Sequence, residues 1–394
     1  MAWLTTAQAA HRLGVKPATL YAYVSRELLH SHRALDGRGS RFDAREVEQL
    51  ALRGRPRLAS RPVAMEIRIQ TAITRIDDHR FGYRGHDALA LATTASFEQV
   101  AELLWSGRLP AATAVWESAA VQVSTQRAVD RMRLAAAHAG IGAPRERDFA
   151  TVTGEGRRLI ATLVEALPPT GDGRCPRLHV GQGAPVRGSI AGRLWVRLTP
   201  RRATPQLLNT LNAALVLLAD HEMAASTLAA RVAASTRANV HGVIAAGMGA
   251  LSGPFHGGES ERCRRLLQRA GAAPVGEVVD DALERHGRLP GFGQVLYPRG
   301  DPRAALLLSM LRAAGPHPTM DLIDRVIASA RRRALPPPNV DLALASLGAV
   351  AGMPFDAGEV IFTPARVVGW LAHALEEYDE RPLRFRPRAE YVGD

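Results

Sequence analysis

Two residues of this chain have side chains suited to carbon-acid chemistry and stand in distinctive settings. Asp341 lies in Pro337-Pro338-Asn339-Val340-Asp341, and His256 lies in Gly253-Pro254-Phe255-His256-Gly257-Gly258. A carboxylate base and a neutral imidazole donor, converging on one acyl carbon, can remove a weakly acidic proton next to a carbonyl. The glycines after His256 let backbone approach such a site closely and open the next helix. Each residue also has an ordinary use. Asp341 is well suited to cap a helix beginning at Leu342, and His256 can equally sit in a core with its nitrogens satisfied.

The words around this pair, taken in order, resemble those of the citrate synthase family. They begin at Thr74-Arg75-Ile76-Asp77 and Phe81-Gly82-Tyr83-Arg84-Gly85, and continue through Ser96-Phe97-Glu98 to Leu103-Leu104-Trp105-Ser106-Gly107-Arg108-Leu109-Pro110. The resemblance fades between about 112 and 188. It returns at Leu217-Leu218-Ala219-Asp220-His221-Glu222 with Ala225-Ser226-Thr227, and holds to Tyr391-Val392-Gly393. Several uncommon words in one order are a far stronger signal than a single short motif.

The resemblance implies a mainly α fold in which a large helical domain (63–258 and 347–394) is interrupted by a smaller one (259–346), the two closing over the substrates. It implies a Claisen-type condensation of acetyl-CoA, or propionyl-CoA, with oxaloacetate, followed by thioester hydrolysis to citrate and CoA. Asp341 is then the base, and His256, kept neutral, donates to the enol oxygen, the protonation state better matched to a neutral enol. His221 holds the oxo acid. Arg303, Arg366 and Arg386 supply guanidinium forks for its two carboxylates, with Arg386 reaching the neighbouring subunit's site in a homodimer. Pro290, Gly291, Phe292 and Gly293 resemble the loop that takes the adenine and pantetheine of CoA, and Arg299 is a candidate phosphate contact. Coenzyme A enters as substrate and leaves as product, and no permanently bound cofactor is implied.

One position departs from the family pattern. A histidine that polarises the keto oxygen is expected after Gly291-Phe292-Gly293, and Gln294 stands there instead, while Leu218 stands where many members have a second histidine. A glutamine amide still donates a hydrogen bond but cannot become cationic, and losing one such donor typically lowers rate by about two to three powers of ten. Two readings follow: a slow or retuned acyltransferase, or a synthase body that senses a CoA ester or carboxylate and regulates DNA binding.

DNA enters because of the first segment. Thr5 or Thr6 can cap a short helix using Ala9, Ala10 and Leu13, closed by Gly14. Val15-Lys16-Pro17 then turns into a second helix, 18–26, whose inward positions are read as Leu20, Tyr21 and Val24. A hairpin candidate at 36–42 and a helix from Asp43 to about Arg53 complete a layout resembling the winged helix-turn-helix of MerR- and excisionase-type proteins. Its second helix enters the major groove. Within residues 1–57, ten basic residues face five acidic ones. Lys16, Thr19 and Tyr23 are candidates for base edges, and Arg38 and Arg41, in the wing, for phosphates. Residues 1–54 form this module and 55–62, rich in arginine and proline, a linker.

Composition sets the outer limits. A chain of 394 residues exceeds one ordinary domain. No apolar run reaches the roughly 18 residues of a transmembrane helix, and the start of the chain lacks the layout of a signal peptide. With only Cys175 and Cys263, far apart, a disulfide framework is not expected and the cytoplasm is the default compartment. The net charge of +12 rests almost wholly on arginine, since Lys16 is the single lysine. Bias of that kind says little about partners, so the distribution of charge matters more than its total. The histidines are scattered without ligand spacing, and no metal site is expected.

Overall fold

The computed structural model describes residues 3–13, 15–25, 28–33, 40–44, 46–47, 50, 68–77, 80–112, 114–181, 185–253, 256–391 and 393. They divide into two compact units, Met1–Gln70 and Thr71–Asp394.

The first unit is a small helix-turn-helix. Helices Thr6–Leu13 and Pro17–Val24 pack beside a three-stranded antiparallel sheet in which Ser40–Asp43 lies between Trp3–Thr5 and His32–Arg33. Pro17 suits the first helical turn, where its missing N–H is no loss. Ala44, Glu46, Val47 and Leu50 are helical, within the stretch where a third helix is expected. The core joins Ala9, Leu13, Leu20, Tyr23, Leu29, Phe42, Val47 and Leu50.

This core corrects the phase of the second helix. Tyr23 is only 2% exposed, whereas Tyr21 is 46% exposed. The inward pair is Leu20 and Tyr23, three apart, with Val24 packed at the edge. Tyr23 is therefore a core residue and does not present its ring to base edges. Lys16 is exposed, and Thr19 and Arg41 are partly so. Arg38, Gly14 and the 55–62 linker lie outside the described residues.

The second unit is almost entirely helical. A three-stranded antiparallel sheet, Thr74–Asp77, Arg80–Tyr83 and His86–Asp87, precedes fourteen described helices. Ser96 starts the helix Phe97–Ser106 with a capping box shared with Gln99, and Gly107 ends it in the left-handed conformation. Ser189 caps Ile190–Leu198 after the loop-like 171–188 stretch.

The stretch 207–236 reads as continuously helical in sequence, but it is two helices, Pro205–Leu218 and Ala225–Ser235. The chain breaks at Ala219 to Ala224, where Glu222 takes a positive φ of 50°. Strain in a non-glycine residue at this point is held by the surrounding packing. The break carries His221. Against it lies the longest helix, Ala357–Asp379, buried along nearly its whole length despite Pro364.

Candidate functional site

Asp341 lies in the first turn of helix Val340–Ala351, and it does not cap that helix. Asn339 does: its Oδ1 accepts from the Asp341 N–H at 3.0 Å. The Asp341 carboxylate is left to face a cleft of about 470 Å³, also lined by His221, Glu222, His256, Glu259, Arg288, Gln294, Arg303, Asn339, Phe362 and Arg366. Six of the residues singled out from sequence therefore share one cavity. Burial, reinforced by the charge of Glu259, pushes Asp341 up to about 7.

His256 packs its ring edge-on to Phe362 at 5.7 Å, and its Nε2 lies 2.8 Å from the hydroxyl of Ser226. With Ser226 donating, the ring proton sits on Nδ1. Burial and then the nearby Arg366 push His256 down to about 4, so the ring is neutral at ordinary pH. His221, whose Nε2 is 3.1 Å from the Tyr297 hydroxyl, is driven well below the usual histidine range by burial and by Arg303 and Arg366.

The three arginines differ sharply. Arg366 is 1% exposed; its Nε donates to Leu218 O at 2.8 Å, while Nη1 and Nη2 have no partner among the described residues. A buried guanidinium with an unused fork is costly unless an anion fills it. Arg303 is equally buried but its Nε and Nη2 grip Asp301 at 2.9 and 2.8 Å, so only part of its fork faces the cleft. Asp301 in turn caps the helix Pro302–Ala313 and accepts from Val340 N at 3.0 Å, tying Arg303 to the Asp341 helix. Arg386 is exposed in the C-terminal segment and is not among the residues lining this cleft.

Gln294 is half-buried in the cleft wall. The preceding loop is pinned to the start of the Asp341 helix: Asn339 N donates to Gly291 O at 2.8 Å, and Gly293 N to Pro337 O at 2.8 Å. Gly291, at φ 82°, has no room for a Cβ, which would meet Cys263 Sγ at 2.8 Å and Leu342 Cβ at 2.9 Å. Phe292 is buried, and Arg299 is exposed and lines neither this cleft nor its neighbour.

That neighbour is a second cleft of about 970 Å³, and no motif disclosed it. Arg127, Arg133, Arg262, Arg265, Arg269, Arg285 and Arg288 line it, with Pro290 at its edge and only Glu261 and Glu359 opposing. Arg288 belongs to both clefts, and its Nη2 donates to Glu259 Oε2 at 3.0 Å. The sequence signal was faint, because arginine is abundant throughout the chain. Ser226, Tyr297, Asn339 and Glu259 were also missed, although Ser226 and Asn339 stand inside motifs already noted and Glu259 directly follows one. Among the described residues no group of three or more His, Cys, Asp or Glu is arranged to hold a metal ion.

The model of the citrate synthase C-terminal domain matches residues 65–388. The chain belongs to the citrate synthase family. A helix-turn-helix domain model matches residues 3–55. Citrate synthase 2 of Bacillus subtilis is 30% identical over 366 residues, covering 85% of this chain and 96% of that protein. The 2-methylcitrate synthase of Shewanella oneidensis is 29% identical, covering 79% and 88%. The crystal structure of the Thermotoga maritima citrate synthase superposes with a TM-score of 0.62 at 26% identity, covering 84% of this chain and 94% of that one. The Thermoplasma acidophilum enzyme, solved as a ternary complex with carboxymethyl coenzyme A and oxaloacetate, shares the fold with a TM-score of 0.65 at 24% identity, covering 84% and 95%. Among the described residues of this citrate synthase family member, no helix is long and apolar enough to cross a membrane.

Proposed function

We propose that this chain condenses acetyl-CoA, or propionyl-CoA, with oxaloacetate and hydrolyses the resulting thioester to citrate, or its homologue, and CoA. The observation that carries the reading is the buried, unfilled fork of Arg366 in the same cleft as Asp341 and His256. A carboxylate of the oxo acid fills that fork, with the free part of Arg303 and His221 completing its cradle. Asp341 takes a proton from the thioester methyl, and His256 Nδ1–H donates to the enol oxygen. The enol carbon attacks the keto carbon, whose oxygen gathers negative charge beside Gln294. Water then cleaves the thioester and CoA leaves.

The cleft draws His221, His256, Phe362 and Arg366 from the expected large part of the fold, and Arg288, Gln294, Arg303 and Asp341 from the expected small part. Closure of one part on the other strips water from Asp341 and strengthens each of these interactions. The adjoining arginine cleft takes the phosphates of CoA, and Arg288 marks the passage between nucleotide and thioester. Arg386 acts at the site of a second copy in a homodimer.

The assay follows thiol release from acetyl-CoA with oxaloacetate in the natural chain and in Asp341→Asn. Release that falls at least about a hundredfold in the variant supports the reading; equal rates remove it.

The helix-turn-helix unit favours a second reading, in which occupancy of the cleft alters DNA binding through Lys16, Thr19, Arg38 and Arg41. DNA affinity measured with and without acetyl-CoA decides it, and an unchanged affinity eliminates it.

A further inference from the structure

Behind the cleft, a string of ionic hydrogen bonds runs from the oxo-acid site to the C-terminal segment. Arg384 Nε and Nη2 hold the Glu377 carboxylate at 2.7 and 2.6 Å. Glu377 Oε2 also accepts from Arg231 Nε at 3.0 Å. Arg231 Nη1 lies 2.7 Å from His373 Nδ1, and His373 Nε2 lies 3.4 Å from the Asp220 carboxylate. Asp220 accepts from Thr74 Oγ1 at 2.5 Å and directly precedes His221. Arg366, His373 and Glu377 share one face of the long helix, at i, i+7 and i+11. That helix is drawn onto the His221 turn: Gly369 N donates to Ala219 O at 2.9 Å, and a Cβ on Gly369 would collide with Asp220.

The direction of each bond is fixed by elementary chemistry. A guanidinium has donors only, so His373 Nδ1 must accept and the ring proton sits on Nε2. The Nε2–H then faces Asp220. A cationic His373 would lose the Arg231 bond and set two positive charges side by side. Asp220, Arg231, His373 and Glu377 have no exposure at all, so cutting one link strands a charge in a low dielectric.

We propose that His373 is a positioning residue for the oxo-acid site, and that seating of the C-terminal segment through Arg384 is transmitted along this string to the turn bearing His221. The inference rests on the oxo-acid reading above. Tail docking and pocket organisation are then one event: a loosened tail relaxes Asp220, and with it His221 and the Leu218 carbonyl that steers Arg366.

The test measures oxaloacetate affinity of the full chain by calorimetry, with steady-state kinetics alongside. Arg384→Gln cuts the string at its partly exposed end, His373→Leu cuts it in the middle, and His373→Gln keeps one donor and one acceptor. Arg384→Gln and His373→Leu are expected to raise the dissociation constant roughly two- to thirtyfold, with the acetyl-CoA KM unmoved and His373→Gln close to the natural chain. An unchanged oxaloacetate affinity in folded Arg384→Gln overturns the proposal, whatever His373→Leu does to folding. Should the natural chain bind no oxaloacetate, the function proposed above fails, and imidazole 15N spectra then decide this inference alone. His373 must show the Nε2–H tautomer and its signal must move in Arg384→Gln; an imidazolium, an Nδ1–H form or a static signal overturns it.

Discussion

Asn339 Oδ1 accepts the backbone N–H of Asp341 at 3.0 Å, and this bond leaves the aspartate side chain to line the cleft. A carboxylate two residues into a helix, with its cap supplied by a neighbour, can face a cleft while its helix stays intact. Burial then makes it a stronger base than an exposed aspartate.

The acid limb of the kcat/KM profile is expected to report Asp341 near pH 7, with activity falling about tenfold per pH unit below it. His256, held down to about 4, stays neutral across that range and should leave no separate inflection. A limb at pH 4 instead would assign the titration to another group.

The same shift has a stability consequence with a definite sign. Asp341 binds its proton more tightly in the folded chain than in the unfolded one, so its ionisation destabilises the fold as pH rises from about 4 to about 7. Asp341→Asn should therefore be more stable than the natural chain at pH 8, by an amount on the order of 4 kcal/mol, and nearly equal to it at pH 4. Thermal unfolding at the two pH values checks this.

Arg366→Met is expected to separate stability from function. Removing a buried guanidinium whose Nη1 and Nη2 lack hydrogen-bond partners among the described residues should leave the melting temperature unchanged or raise it. Oxaloacetate turnover should drop by about two to three powers of ten in kcat/KM, because a bidentate carboxylate contact is gone. A variant that melts early and keeps its kinetics would reverse both expectations.

Gln294→His should raise kcat, by up to about a hundredfold, since a histidine can take on charge beside the keto oxygen. A fall in kcat would mean that the amide is adapted to a different oxo acid, which a panel of 2-oxo acids would then reveal.

In the first unit, Tyr23→Ala should cost about 3–5 kcal/mol, as truncation of a buried aromatic does. Lys16→Ala should leave that stability intact and weaken DNA binding by about 1–3 kcal/mol, with relaxed preference at the base pair it reads, as loss of a base-edge contact does. Chemical denaturation and binding titrations distinguish the two.

The amino-acid sequence by itself determined the residue types of the proposed site, their order along the chain, and the division into a helix-turn-helix and a helical body. Those features are written in local chemistry: caps, glycine turns, apolar spacing and uncommon words. It misjudged the phase of the Pro17–Val24 helix, because Tyr21 and Tyr23 are equally good core residues until Phe42 and Leu29 arrive from elsewhere in the chain. It did not mark the break at 219–224, since every residue there is compatible with a helix and the partners that meet the break come from elsewhere in the chain: Gly369 N donates to Ala219 O and the Tyr83 hydroxyl to Asp220 O. Tertiary structure alone decided which arginines matter. Arg303 and Arg366 are the same residue type, but one is clasped by Asp301 and the other's Nη1 and Nη2 meet no acceptor among the described residues, and the seven arginines of the second cleft come from three separate stretches of chain. Partnership and burial belong to neighbours in space, so charge recorded along the chain cannot say where it will be left unbalanced.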